Sequence, residues 1–135
     1  MTVDGDSEGT FGCKLCWPPS AEAAWEARGN LTSQTELIDE SHFHVMILSC
    51  PGCDQRFVSV FTELIDWVDG DDPQAWSLLP LTPLEASGLE RQGAALTEAE
   101  LSAIGRGRRC LCHDCPKASA PLTFWSTGLG IGAHD

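Results

Sequence analysis

His42-Phe-His-Val-Met-Ile-Leu-Ser49, Cys50-Pro-Gly-Cys-Asp-Gln55 and Arg56-Phe-Val-Ser-Val-Phe-Thr-Glu-Leu-Ile-Asp-Trp67 form the stretch on which the fold turns. The outer segments are rich in β-branched and aromatic residues, and the middle one is turn chemistry. Together they predict an antiparallel hairpin with Cys50 and Cys53 at its tip. Alternation along the second strand places Phe57, Phe61, Ile65 and Trp67 on one face. Val58, Val60 and Leu64 take the other, so both faces are expected to be covered.

Upstream, Phe11-Gly-Cys13-Lys-Leu-Cys16-Trp17-Pro-Pro supplies a second Cys-x-x-Cys turn. Pro18, Pro19 and Ser20 offer a helix start, Ala21 to Arg28 are good helix formers, and Gly29-Asn30 is a stop. Ser33 with Glu36 reads as a capping box for another short turn. Downstream, Asp69-Gly-Asp-Asp-Pro73 breaks the strand. Residues 74 to 81 read as an irregular or short extended segment anchoring Trp76 in the core. Thr82-Pro-Leu-Glu85 and Thr97-Glu-Ala-Glu100 are helix starts of capping-box form. The second helix carries Leu96, Leu101 and Ile104 as its apolar stripe, and Gly105 and Gly107 end it. Phe124-Trp125 suggests a short strand, followed by glycine-rich coil. The expected organisation is a disordered acidic segment over 1–10, one α+β domain over 11–127 and a flexible tail over 128–135. The domain is expected to be a small antiparallel sheet with two or three short helices.

The cysteine spacing carries the chemistry. A Cys-x-x-Cys turn points two sulfurs at one spot, and two such turns complete the tetrahedron of soft donors that zinc takes at about 2.3 Å. Cys13, Cys16, Cys50 and Cys53 meet that need, making Zn2+ the expected ion. The second turn, Cys50-Pro51-Gly52-Cys53-Asp54, resembles the knuckle of zinc ribbons and rubredoxins, in which the pattern is Cys-Pro-x-Cys-Gly. That resemblance covers roughly 25 residues around the turn and implies a metal site at a hairpin tip within a zinc-ribbon-like sheet. Asp54 stands where that family has glycine; Asp tolerates a left-handed backbone better than most residues. Trp17 holds the same place in the first turn and fits less well, because Pro18 drives it towards an extended conformation. Lys14 and Arg56 lie close in sequence to the two turns and are expected to offset the negative charge of four thiolates. Iron also binds thiolates, but the ferredoxin spacings do not match.

A third cluster, Arg108-Arg-Cys110-Leu-Cys112-His113-Asp-Cys115-Pro, leaves several readings open. It is a second metal site, with His42, His44, His113 or His134 as fourth ligand; or Cys112 and Cys115 join Cys50 and Cys53, leaving the first pair free. Alternatively it is a redox group activated by Arg109 and Lys117, or a set of ordinary thiols. In an extended chain Cys110 and Cys112 point to the same face. His42-x-His44, with Glu40, has the makings of a catalytic metal site, although such histidines more often cap or solvate a strand edge. Glu63, Asp66, Asp69, Asp71 and Asp72 form an acidic run without EF-hand spacing. The tryptophans at 17, 25, 67, 76 and 125 are too scattered for a stacking strip and are expected mostly in the core.

Composition narrows the function. The 135 residues carry 20 acids against 8 bases, a net charge of −12. Nucleic-acid binding draws on Lys and Arg neutralising phosphates, so a nucleic-acid partner is disfavoured, although Arg106, Arg108, Arg109 and Lys117 concentrate half of the bases in one stretch. The N-terminus is acidic and lacks a signal-like apolar region, and no run of about 18 apolar residues exists. A cytoplasmic setting is expected, where seven cysteines read as ligands before disulfides. The leading expectation is a small structural-zinc protein acting as an interaction or regulatory module on a protein partner. The rival is a thiol-redox or metal-dependent enzyme using Cys110, Cys112 and Cys115, or His42 and His44.

Overall fold

The computed structural model describes residues 11–134; the acidic segment expected to be disordered lies outside them. The chain order is helix α1 (Ala21–Arg28), strands β1 (Thr32–Glu40), β2 (Phe43–Ser49), β3 (Arg56–Glu63) and β4 (Gln74–Leu81), helix α2 (Pro83–Gln92), a 3-10 turn (Gly93–Ala95), helix α3 (Glu98–Ala103), and strands β5 (Arg109–Cys115) and β6 (Leu122–Thr127). The six strands form one sheet in sequence order, and every neighbouring pair is antiparallel. This is the expected α+β fold, built on a sheet wider than a ribbon.

Strand alternation sends two sets of side chains to opposite faces. Val45, Ile47, Val58, Val60, Leu79 and Leu81 meet Ala86, Leu89, Leu96 and Leu101 of the α2–α3 region. Each fully buried aliphatic chain of this kind contributes roughly 1.5–3 kcal/mol. Leu48, Phe57, Leu78 and Leu111 face the other way, towards Trp17, Ala21 and Ala24. Both faces of the β2–β3 hairpin are therefore covered, as its alternation predicts.

The helices start where their caps dictate. Ser20 Oγ accepts from the Ala23 amide at 3.2 Å. Thr82 with Glu85 and Thr97 with Glu100 form complete reciprocal capping boxes. Past β6, Leu129 is buried with the α2–α3 face, and Ser77 Oγ donates to the Gly130 carbonyl at 2.7 Å.

Three local expectations are overturned. Ser33 and Glu36 lie within β1 rather than capping a turn, because residues 32–40 find the free edge of β2. Register shifts between Ser33 and Thr35 and between Glu36 and Ile38 turn both Leu37 and Ile38 into the same core, as bulges do. Residues 74–81 take the extended of their two readings, as β4 pairs along its whole length with β3, but Trp76 is only half-buried rather than anchored in the core. Finally, β3 stops at Glu63. Asp66 folds the next residues into a turn by accepting from the Val68 and Asp69 amides, and Asp72 accepts from the Asp66 amide. Local carboxylate-to-amide bonding thus outcompetes the ladder, leaving Trp67 86% exposed instead of on a strand face.

Candidate metal centre

The tip of the β2–β3 hairpin folds as a knuckle. The Cys50 amide donates to the Gln55 carbonyl at 3.0 Å, and the Asp54 amide donates to the Cys50 carbonyl at 2.9 Å. Asp54 adopts φ 66°, the left-handed conformation anticipated from its tolerance of that region. The Gly52 amide points at Cys50 Sγ, 3.3 Å away.

The first turn is built differently. The Trp17 amide donates to the Cys13 carbonyl at 2.8 Å, and the Cys13 amide donates to Cys16 Sγ at 3.2 Å. The left-handed residue is Gly12, at φ 69°, not Trp17. A Cβ on Gly12 would stand 2.7 Å from Trp17 Cβ and 3.0 Å from Cys16 Sγ. Trp17 instead fills the core, with its ring 5.3 Å from Phe57 and 5.0 Å from Trp125.

Gln55 ties the two turns together. Its Oε1 accepts from the Gly12 amide at 2.9 Å, while Nε2 donates to the Arg56 and Leu81 carbonyls, each at 2.7 Å. Neither Gln55 nor Gly12 stood out in the sequence. The available signals were a residue with two-sided hydrogen-bonding capacity directly after the knuckle, and a glycine directly before the first cysteine.

These elements bring the Cys13, Cys16, Cys50 and Cys53 sulfurs within 4.8 Å of one another. Cys13 Sγ lies 3.7 Å from Cys16 Sγ and 3.9 Å from Cys50 Sγ, and Cys16 Sγ lies 3.8 Å from Cys53 Sγ. A disulfide would need about 2.05 Å. A regular tetrahedron of sulfurs, each about 2.3 Å from a central zinc, has edges of about 3.8 Å. The donor set therefore fits a four-coordinate thiophilic ion. Crowding also makes the thiols titrate unequally. A backbone hydrogen bond from Cys16, working against burial, brings Cys13 down to about 7. Burial pushes Cys16 and Cys53 up. Four sulfurs at this spacing could hold a metal ion among them.

The third cluster does not join this site. Cys110 and Cys112 share a face, as their spacing predicts, and are buried under α2–α3. Cys112 Sγ lies 3.1 Å from Ser126 Oγ and on the wall of a cavity of about 480 Å³ that Thr62, Ser77 and Phe124 also line. A hydrogen bond from Cys110 lowers the Cys112 thiol to about 6 despite burial, and Cys110 rises in turn. His113 is stacked flat on Trp25 at 3.9 Å, with Nδ1 2.7 Å from Thr123 Oγ1.

His42 and His44 take separate carboxylates. His42 Nδ1 lies 3.1 Å from Glu63 Oε1, and His44 Nδ1 lies 3.6 Å from Asp39 Oδ1. Glu36, Asp39 and His44 form the other convergent donor group among the described residues, and both acids are exposed. The basic stretch is largely spoken for. Arg108 pairs with Glu85 at 2.8 Å, Arg109 lies over the Trp125 ring at 3.9 Å, and Lys117 bridges Asp66 and Asp69 at 2.7 and 2.9 Å. Among the described residues, no helix is long and apolar enough to cross a membrane. No family model, curated protein or solved structure matches this chain.

Proposed function

We propose that this protein is a structural-zinc module that acts by binding a protein partner, in a reducing compartment such as the cytoplasm. The observation that carries the zinc is the agreement of three sulfur–sulfur separations, 3.7 to 3.9 Å, with the edge of a zinc tetrathiolate. Four protein ligands leave no open position for substrate, which is the hallmark of structural rather than catalytic zinc. The ion would tie the segment before α1 to the β2–β3 tip.

The partner reading is supported by the loop after β3. Trp67 and Val68 are 86% and 88% exposed on a turn fixed from beneath by the Asp66 carboxylate and Lys117. Presenting a large aromatic on a pre-ordered turn is how interface anchors work. The net charge of −12 favours a partner whose surface is basic.

Elemental analysis of the reduced protein tests the metal, with one zinc per chain expected and with Cys13, Cys16, Cys50 and Cys53 resisting alkylation until a chelator is added. Absence of stoichiometric metal, with all four thiols freely alkylated, refutes it. For the partner, Trp67→Ala is expected to abolish a complex that the zinc-loaded protein forms, and a complex indifferent to it counts against the loop.

One observation favours a second reading, thiol chemistry at Cys112: this sulfur lines the 480 Å³ cavity, and the Cys110 hydrogen bond holds it towards the thiolate. Iodoacetamide at neutral pH would then label Cys112 ahead of Cys110 and Cys115, and indiscriminate labelling dismisses it.

A further inference from the structure

On the α1 face of the sheet, Arg28, His44, Met46, Ser59, Phe61 and Trp76 line an open cavity of about 280 Å³, separate from the sulfur cluster. Arg28 reaches it from the last turn of α1. Its Nη2 donates to Ser59 Oγ at 2.7 Å, and its Cζ lies 5.4 Å from the Trp25 ring centre. Its Nε is buried with no hydrogen-bond partner. Among the described residues no carboxylate pairs with it, whereas Arg108 and Lys117 both hold acids.

That arrangement is anomalous in a chain with 20 acids. A guanidinium cannot shed its proton, and a buried donor left unmade costs about 1–3 kcal/mol. Burial pushes the Arg28 guanidinium down, with no neighbouring charge acting against it. The α1 carbonyl end gives only partial compensation. Ser59 is buried and accepts from Arg28, so its own proton remains to be donated. Phe61 and Trp76, with ring centres 5.0 Å apart, form an aromatic wall beside these donors.

We propose that this cavity binds a small aromatic carboxylate, its oxygens on the Arg28 guanidinium and the Ser59 hydroxyl and its ring against Phe61 and Trp76. One planar fork matches one carboxylate in shape and charge. A phosphate carries more charge than one arginine balances, and His44, the other basic group on the wall, already faces Asp39. Ligand pockets begin near 300 Å³, so a single ring with a short acid arm suits the size. The site shares no residue with the zinc ligands, so it stands or falls independently of the metal.

The test titrates the zinc-loaded full chain with phenylacetate, phenylacetamide and inorganic phosphate. Tryptophan fluorescence and the Arg28 Nε–Hε NMR signal are the readouts. Phenylacetate is expected to saturate and to move the Arg28 signal, with the neutral amide at least about tenfold weaker because it leaves the cation unpaired. Arg28→Gln is expected to weaken phenylacetate by at least about tenfold, and Ser59→Ala by a few-fold. No saturation, equal affinity for acid and amide, an unmoved Arg28 signal, or tighter phosphate than phenylacetate each overturns the proposal. Should Arg28→Gln not fold, the acid-against-amide comparison in the unmodified protein still decides.

Discussion

Gly12→Ala and Gly70→Ala form a matched pair that isolates the packing of the first cysteine turn. Both glycines are left-handed, at φ 69° and 71°. An L-residue in that conformation costs about 1–2 kcal/mol wherever it stands. Their surroundings differ. A Cβ at 70 meets nothing within 4 Å, whereas one at 12 stands 2.7 Å from Trp17 Cβ and 3.0 Å from Cys16 Sγ. The first contact is to a side-chain root that cannot swing away, and overpacking of that kind adds about 1–3 kcal/mol. Gly70→Ala is therefore expected to lose about 1–2 kcal/mol and Gly12→Ala about 2–5 kcal/mol in urea denaturation. The excess resides in the closed turn. The same 1–3 kcal/mol should reappear as a roughly 5- to 150-fold loss of zinc affinity in chelator competition, for Gly12→Ala alone. Equal losses for the two variants, within about 0.5 kcal/mol, or an unchanged zinc affinity for Gly12→Ala, would refute the reasoning.

The two tryptophans at opposite extremes of exposure make a second contrast: Trp17→Ala is expected to cost about 3–5 kcal/mol, Trp67→Ala less than about 0.5 kcal/mol, both read by urea denaturation, and similar values would contradict the burial. Glu85 links stability to pH. Burial raises its pKa, but Arg108 and the Thr82 amide more than offset this and hold it below 4.5, so its contribution is complete above that value and fades as pH falls through the lowered one. Glu85→Gln should cost about 1–2 kcal/mol at pH 7 and flatten the acid limb of the stability curve, and an unaltered limb would show that the pair does not titrate with folding. Chelation at neutral pH is expected to strip hydrogen-exchange protection from residues 11–31 and from the hairpin tip at 50–55 while the amides of β2–β5 remain protected; uniform loss would mean that the ion holds the whole fold.

What the sequence revealed followed the reach of each interaction. Cysteine spacing and capping boxes act within four residues, so both knuckles and the starts of α2 and α3 were legible, as was the left-handed place of Asp54. The β2–β3 hairpin was legible because its turn is local and its two flanks share one chemistry. β1 was misread because Ser33 and Glu36 satisfy a local rule that the free edge of β2 overrides; β4 was legible only as one of two alternatives, because Pro73 and Pro80 mask a strand that its two neighbours stabilise. Trp67 was placed on a strand face because periodicity registers apolar residues and not the carboxylate of Asp66, which closes the turn beneath it. Gln55 and Arg28 were missed for a common reason: each matters through groups far away in the chain, the Gly12 amide for one and Ser59 for the other.

The two faces of the sheet bear unequal covers, and this sets what an ion in the sulfur cluster would do. Beneath α2 and α3, Ala86, Leu89, Leu96 and Leu101 meet a wall of valines, leucines and isoleucines, and that core needs no ion. The other face exposes Phe57, Leu78 and Leu111 to a helix of eight residues whose buried side chains are two alanines, Ala21 and Ala24. Two methyl groups cannot alone shield three large apolar residues, and the half-buried Trp25 adds its ring, which stacks on His113 at 3.9 Å and lies 5.6 Å from Trp76. Trp17 supplies the missing area, packed between Phe57 and Trp125, and Trp125 Nε1 donates to the Pro19 carbonyl at 2.8 Å. Trp17 directly follows Cys16, so whatever closes the sulfur cluster also seats the indole and, through Pro19, the start of α1. An ion bound in this cluster would not create the sheet; it would hold the N-terminal cover against one face of it.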